Sequence, residues 1–106
     1  MTLNQIRALL VEADQDIRHY FIMSDAEAYS YWEETKPLPF VADGGHPAGD
    51  RGWRFYVHRY TKTEEDPVAE AIYNKLDSSD RVAVRWTIDR NNDSEYIHHI
   101  FECEGF

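Results

Sequence analysis

A chain of 106 residues, 42% of them hydrophobic and 14% aromatic, is long enough for one domain with a single sheet-and-helix core. Twenty Asp and Glu against eleven Lys and Arg give a formal net charge of −9, which argues against nucleic acid as a partner, because phosphate binding needs clustered basic residues. A single cysteine excludes an internal disulfide, and no apolar run approaches a membrane span or an export signal, so we expect an intracellular protein with no membrane partner.

The beginning of the chain predicts a helix and then two strands. Thr2 and Gln5 have the spacing of a capping box, in which each side chain bonds the backbone amide of the other residue. An amphipathic helix is predicted over residues 3–14, because apolar residues recur there at steps of three and four. A short strand is expected over residues 17–23, and a second strand over 29–35 is expected to end at Pro37 and Pro39.

Residues 41–52 carry four glycines and one proline and show no hydrophobic period, which predicts a long loop. The segment lacks the GxGxxG or GxxxxGK[ST] order of phosphate-binding loops, and it contains no lysine. We therefore expect no nucleotide site here. Two interpretations remain open: an ordinary surface loop, or a loop that orders against a neighbouring subunit.

The second half of the chain has the clearest pattern, which is strand, helix, strand, strand. Apolar and polar residues alternate from Trp53 to His58, an acidic turn at residues 63–67 opens a helix, and alternation returns from Val82 to Ile88. Residues 96–106 predict a last aromatic strand, joined to the previous one by a polar turn at 91–94. Such a pair of strands forms an antiparallel hairpin, and the helix can cover one face of it.

Together these elements predict an α+β fold for one domain spanning residues 1–106. It comprises an N-terminal helix and a mostly antiparallel sheet of four or five strands, with a second helix packed on one face. Trp86 is expected to be a core residue of that sheet.

The histidines do not have the spacing of a metal site. His98 and His99 are adjacent in a strand, so their side chains point to opposite faces and cannot bind one ion together. His58 could meet one of them across paired strands, and Glu102 shares the parity of His98. Because no HxH, HxxxH or CxxC spacing exists, we predict no metal and no cofactor.

No catalytic residue is predicted either, and we expect a protein that is not an enzyme. Cys103 shares a strand face with His99 and Phe101, which is the predicted core face, and a buried thiol has a raised pKa and is inert. The acidic pairs at 33–34 and 64–65 are typical of solvated faces and helix N-termini.

The order of elements resembles that of the tail terminator (tail completion, minor tail) proteins of long-tailed bacteriophages. Three stretches carry the resemblance: WRFYVHRY at 53–60 is similar to the family's central strand, DPVAEAIYNKLD at 66–77 to the following helix, and YIHHIFE at 96–102 to the closing strand. The likeness covers nearly the full length as a pattern. The family has no invariant catalytic motif.

The resemblance implies a structural protein of a phage or prophage tail. It would form a homo-oligomeric ring, suspected to be a hexamer, that caps the tail tube and presents the surface to which the head docks. The implied partners are the tail tube protein and a head–tail connector protein, and the implied location is the host cytoplasm during assembly and then the virion tail. The implied interface residues lie in the loop, the acidic turn and the central strand: Asp43, His46, Asp50, Arg51, Glu64, Glu65, Asp66, Tyr56 and Tyr60. Tyr29 and Tyr31 are also expected to be exposed aromatics.

Two other classes of function remain open. One is a small ferredoxin-like dimeric domain that binds a metabolite or a partner protein in an apolar cleft. The other is a small enzyme whose site is built across a dimer interface from His58, His98 and Glu102, which would require strongly perturbed pKa values in a cleft.

Overall fold

The computed structural model describes residues 1–38, 52–90 and 94–106, and their fold is α+β as predicted. The elements in chain order are α1 (Leu3–Ala13), β1 (Arg18–His19), β2 (Ala28–Pro37), β3 (Trp53–Thr61), α2 (Pro67–Asp77), β4 (Val82–Arg90) and β5 (Ile97–Gly105). Neither of these helices is long and apolar enough to cross a membrane.

The strands form one five-stranded sheet in the order β1-β2-β3-β5-β4. β1 pairs parallel with β2, and the other neighbours pair antiparallel. The predicted hairpin of the last two strands is confirmed, with a continuous register from Val82 opposite Gly105 to Arg90 opposite Ile97. The expected turn that joins them falls mostly on residues 91–93, which lie outside the described residues. β5 lies between β3 and β4, so α2 connects two parallel strands that are not neighbours.

One face of the sheet and both helices enclose the core. Alternation places Phe55 and Val57 of β3 beside Phe101 and Cys103 of β5, and Trp32 of β2 lies opposite Val57. The helices add the buried side chains Ile6, Leu10, Ala69, Ile72 and Leu76 to the same cluster. Full burial of one such large aliphatic or aromatic side chain stabilises the fold by about 1.5–3 kcal/mol.

Polar side chains define where the two helices begin. Thr2 and Gln5 form the predicted capping box: the Gln5 amide donates to Thr2 Oγ1 at 3.1 Å, and the Thr2 amide donates to Gln5 Oε1 at 2.8 Å. α1 ends at Ala13, one residue earlier than expected, with Asp14 as its C-cap. Asp66 caps α2, and Pro67 occupies the first turn, where a missing amide proton costs nothing.

The first strand is much shorter than the sequence predicts. Residues 17–23 were expected to be extended, but β1 contains only Arg18 and His19. The cause is Tyr20, whose φ of 79° lies in the left-handed region and ends the extended backbone of β1. Residues 17–23 have the composition of a strand, and no glycine in them indicates the left-handed backbone at Tyr20.

β2 is longer than the predicted 29–35, and it ends at Pro37 as expected, whereas Pro39 lies outside the described residues. The strand starts at Ala28 and includes Pro37, which is paired with Trp53. Pro37 is tolerated because it is the last residue of β2, where a missing donor removes little from the ladder. Leu38 then donates its amide to the Gly52 carbonyl at 2.8 Å, so the two ends of the segment 39–51 lie side by side.

Trp86 is less buried than a central core residue because β4 is the last strand of the sheet. Its indole is only partly buried, and it stacks on Phe101 at 5.4 Å and contacts Tyr73 at 5.2 Å between ring centroids. The parity predicted for Trp86 is confirmed, since it faces the helices. Ile88 shares that parity and is nevertheless 51% exposed.

Candidate assembly surface

The second face of the sheet, which we call the open face, lies opposite the helices. Its side chains alternate with those of the core: odd-numbered residues of β2 and β4 and even-numbered residues of β3 and β5. Aromatic rings concentrate at its centre, at the positions Tyr29, Tyr31, Tyr56, His58, Tyr60 and His98.

The rings on the open face form one continuous stack across three strands. Tyr29 stacks on Tyr60 at 4.9 Å between centroids, and Tyr60 stacks on His98 at 4.1 Å. Tyr31 stacks on His58 at 4.6 Å, and His58 stacks on His98 at 5.0 Å. Stacked ring pairs of this kind contribute about 0.5–1.5 kcal/mol beyond the burial of their area. The result is a continuous aromatic surface.

Tyr31 corrects the expectation of four exposed tyrosines. It is only 5% exposed, whereas Tyr29, Tyr56 and Tyr60 are partly buried. His58 covers one side of the Tyr31 ring, and the ring of Phe21 meets it edge-on at 5.5 Å. Burial raises the pKa of the Tyr31 hydroxyl above its usual range. Tyr31 therefore supports the surface more than it presents itself to a partner.

The structure brings His58 and His98 together, as the sequence suggested. His58 Nδ1 and His98 Nε2 lie 2.8 Å apart, so one ring donates a hydrogen bond to the other. Burial lowers the pKa of both, and together with the charge of His58 it brings the pKa of His98 to about 4. At neutral pH the pair is uncharged. Glu33 Oε1 lies 3.3 Å from His58 Nε2, and this carboxylate opposes part of the lowering of the His58 pKa.

Glu102 does not join the two histidines into a site. It is exposed on β5, opposite Tyr56 on one side and Arg85 on the other. Within residues 1–38, 52–90 and 94–106, no group of three His, Cys, Asp or Glu side chains is arranged to hold a metal ion. Cys103 is buried on the core face, and burial raises the pKa of its thiol, which makes it a poor nucleophile.

The acidic turn before α2 divides into exposed and buried carboxylates. Glu64 and Glu65 are exposed, and Glu64 forms an ion pair with Arg90 at 3.3 Å. Asp66 is different, because its side chain is only 6% exposed and accepts bonds from the amides of Val68 and Ala69. Little of the Asp66 carboxylate is available to a partner, whereas Glu64 and Glu65 are accessible.

Arg59 is the partner that holds Asp66 in place. Arg59 Nε donates to Asp66 Oδ2 at 2.7 Å, and its Nη1 donates to Ser30 Oγ at 3.1 Å. The same Nη1 lies 3.7 Å from Asp14 Oδ2 at the end of α1. Burial alone would raise the pKa of Asp66, but the hydrogen bonds from Arg59, its charge and the capped amides hold that pKa below its usual value.

Sequence reasoning missed Arg59, which ties both helices to the sheet. The available signal was an arginine on the core parity of β3, close to an N-cap aspartate. Four further predicted interface residues, Asp43, His46, Asp50 and Arg51, lie outside the described residues. Tyr56 and Tyr60 both lie on the open face, and Tyr60 belongs to the continuous ring stack.

Comparisons with known proteins bear on the fold. No family model matches the chain, and no curated protein does. A chain in the solved virion of a native gene transfer agent particle matches with a TM-score of 0.50 and 14% sequence identity, over 96% of this chain and 87% of that one. The two chains share a fold. A sheath/tube terminator of PVC, an extracellular contractile injection system in its extended state, matches with a TM-score of 0.38 and 8% identity, over 99% of this chain and 56% of that chain.

Proposed function

We propose that this protein is a structural component of a phage or prophage tail, where it caps the tail tube as a ring and forms the surface that joins the head. The observation that carries the proposal is the shared fold with a virion chain, which extends over 96% of this chain and 87% of the other. The resemblance of residues 53–60, 66–77 and 96–102 to tail terminators points in the same direction.

The open face supports a role in assembly. A continuous stack of tyrosine and histidine rings presents large amphipathic side chains, which suits a protein–protein interface. Its histidine pair is uncharged at neutral pH, so a partner does not have to desolvate a charge there.

The proposed contacts come from three regions. The segment 43–52 and the exposed carboxylates Glu64 and Glu65 face neighbouring subunits or the tail tube protein, and Tyr56 and Tyr60 add an aromatic contact. A head–tail connector protein binds the opposite side of the ring. Assembly takes place in the host cytoplasm, and the finished protein resides in the virion tail.

Charge determines when such a ring forms. Six subunits with a formal charge of −9 each repel one another, and that repulsion is reduced by salt, by divalent cations or by a tube that supplies compensating charge. We therefore propose that the ring assembles on the end of the tube more readily than it does alone.

A tube-capping assay tests this function. The tail tube protein is polymerised with and without the chain, and tube length and tube ends are measured by electron microscopy. We expect short tubes with a ring at one end. Tubes of unchanged length with bare ends would refute the capping role.

A matched pair of charge reversals tests the acidic turn in the same assay. Glu65→Lys changes an exposed carboxylate of the turn, and Asp80→Lys makes the same charge change in the exposed turn after α2. We expect Glu65→Lys to impair capping and Asp80→Lys to leave it intact. Equal effects from both variants would remove the acidic turn from the interface.

A further inference from the structure

The sheet has one long edge that neither a proline nor a bulge interrupts. β4 contains nine residues and no proline, and its register with β5 has no shift. Within the described part of the chain its other side pairs with no strand. Because alternate residues of an edge strand direct their amide and carbonyl groups outward, such an edge is a template for an added strand.

The opposite edge of the sheet, at β1, is short and irregular. β1 has two residues, and Tyr20 ends it with a left-handed backbone that is unfavourable for a bulky residue. Three contacts enforce this conformation: the Tyr20 amide donates to the Trp32 carbonyl at 2.7 Å, the Tyr20 hydroxyl donates to Glu34 Oε1 at 3.0 Å, and the ring stacks on His19 at 3.7 Å. A strained backbone that several contacts maintain points to a functional role for the strain.

Because of the left-handed backbone at Tyr20, residues 21–23 pair with no strand of their own sheet, and they carry exposed apolar side chains. Phe21 is 62% exposed and Met23 is 83% exposed. Within the described residues, the backbone of 21–23 makes no hydrogen bond to other backbone groups. The segment thus combines free backbone groups with exposed apolar side chains. A segment of this kind can pair with an edge strand.

The two edges are complementary in character. The edge of β4 offers unpaired backbone groups and Ile88, which is 51% exposed, and its Arg90 forms an ion pair with Glu64 at 3.3 Å. The segment 21–23 offers free backbone groups and the exposed side chains of Phe21 and Met23, and it carries no charge that the acidic side chains beside Ile88 would repel. Since both halves belong to one molecule and lie at opposite ends of one sheet, a second copy of the chain provides the match.

We propose that residues 21–23 of one subunit pair, as an added strand, with the free edge of β4 of the next subunit. The contact is heterologous, so it repeats around a ring if the rotation per subunit closes and forms an open filament if it does not. This inference deepens the proposed function and rests on it, because it identifies which edges meet when subunits join sideways.

Disulfide trapping between two variants, each with one added cysteine, tests the pairing. Met23→Cys and Ile88→Cys are each prepared in the intact chain, where the native Cys103 is buried and unreactive. Each variant is oxidised alone and as an equimolar mixture, in salt that screens the net charge. Val11→Cys, placed on an exposed position of α1, replaces Met23→Cys in the control mixture.

We expect a cross-linked dimer in the mixture of Met23→Cys with Ile88→Cys, and monomer in each of these variants oxidised alone and in the control mixture. The double variant Met23→Cys/Ile88→Cys is expected to give a ladder of higher species. Far-ultraviolet circular dichroism and thermal unfolding establish that each variant is folded.

A dimer of Ile88→Cys alone would overturn the proposal in favour of symmetric pairing of two β4 edges. Cross-linking no greater than in the Val11→Cys control would also overturn it. Either result leaves the tube-capping assay unaffected, because capping is measured with the unmodified chain. If the unmodified chain does not cap tubes but the cross-link forms, the proposed function is refuted and the edge pairing is supported.

Discussion

Arg59 lies on the core parity of β3, at a position where alternation favours an apolar side chain. Its burial depends on Asp66, Ser30 and Asp14, which come from three other parts of the chain. A period of two predicts the face on which Arg59 lies, but it does not predict partners that are distant in sequence. The same limit applies to Tyr20, whose left-handed backbone depends on contacts with Trp32 and Glu34.

Asp66→Ala tests whether the buried pair supports the fold. The substitution removes the N-cap of α2 and leaves the Arg59 guanidinium buried without its main partner, so we expect the free energy of unfolding to fall by about 3–5 kcal/mol. Chemical denaturation measures the change. The matched control is Glu65→Ala, at an exposed position one residue earlier, for which a change within about 0.5 kcal/mol is expected. Equal effects would contradict the role assigned to the pair.

His98 links the open face to pH. Its pKa falls from 6.5 to about 4 in the folded chain, so below pH 6.5 the unfolded chain binds the proton first. The free energy of unfolding therefore decreases as pH falls from about 6.5 to about 4. His98→Gln keeps a hydrogen-bonding side chain and removes this titration. We expect the free energy of unfolding to depend less steeply on pH in that window. The decrease in slope corresponds to up to about one bound proton.

Equilibrium denaturation at several pH values measures that slope. At pH 8 both proteins have an uncharged side chain at this position, so the variant's effect there reports packing alone. An unchanged slope between pH 6.5 and 4 would contradict the burial assigned to His98.

At the scale of elements, hydrophobic period and capping residues predicted most of what the structure contains. α1 begins after the predicted capping residue Thr2, α2 begins at the end of the acidic turn as expected, and the parity of β5 places His98 and His99 on opposite faces. Boundaries were less predictable, since β1 is interrupted at Tyr20, and β2 begins one residue earlier and ends two residues later than the predicted 29–35. Periodicity also does not specify that β5 inserts between β3 and β4, which requires pairing across the whole sheet.

The segment 39–51 offers an element-scale test. Leu38 and Gly52 are hydrogen-bonded at the base of this connection, so a short glycine-containing turn can replace residues 40–50 without separating β2 from β3. Gly52 is retained, because a Cβ there would collide with the Gly105 carbonyl. We expect unchanged thermal unfolding and loss of assembly, measured by light scattering. A shortened chain that still assembles would remove the segment from the interface.

At the scale of the whole molecule, the arrangement has two helices on one face of the sheet, aromatic rings on the other, and two dissimilar edges. This asymmetry suits the proposed ring subunit, which would meet its neighbours sideways and other proteins above and below. The candidate surface was predicted in part: the central strand and the exposed glutamates came from the sequence, whereas the ring stack required the strand order. Interface residues 43, 46, 50 and 51 remain predictions.

The ring is the central claim, and the mass of the particle in solution tests it most directly. We would measure size-exclusion chromatography with light scattering over a range of salt concentrations, with and without millimolar magnesium, and image any large species. Screening the −9 charge of each subunit is expected to yield a discrete ring with the mass of six subunits. A stable dimer at every salt concentration would contradict the ring and favour a dimeric binding domain.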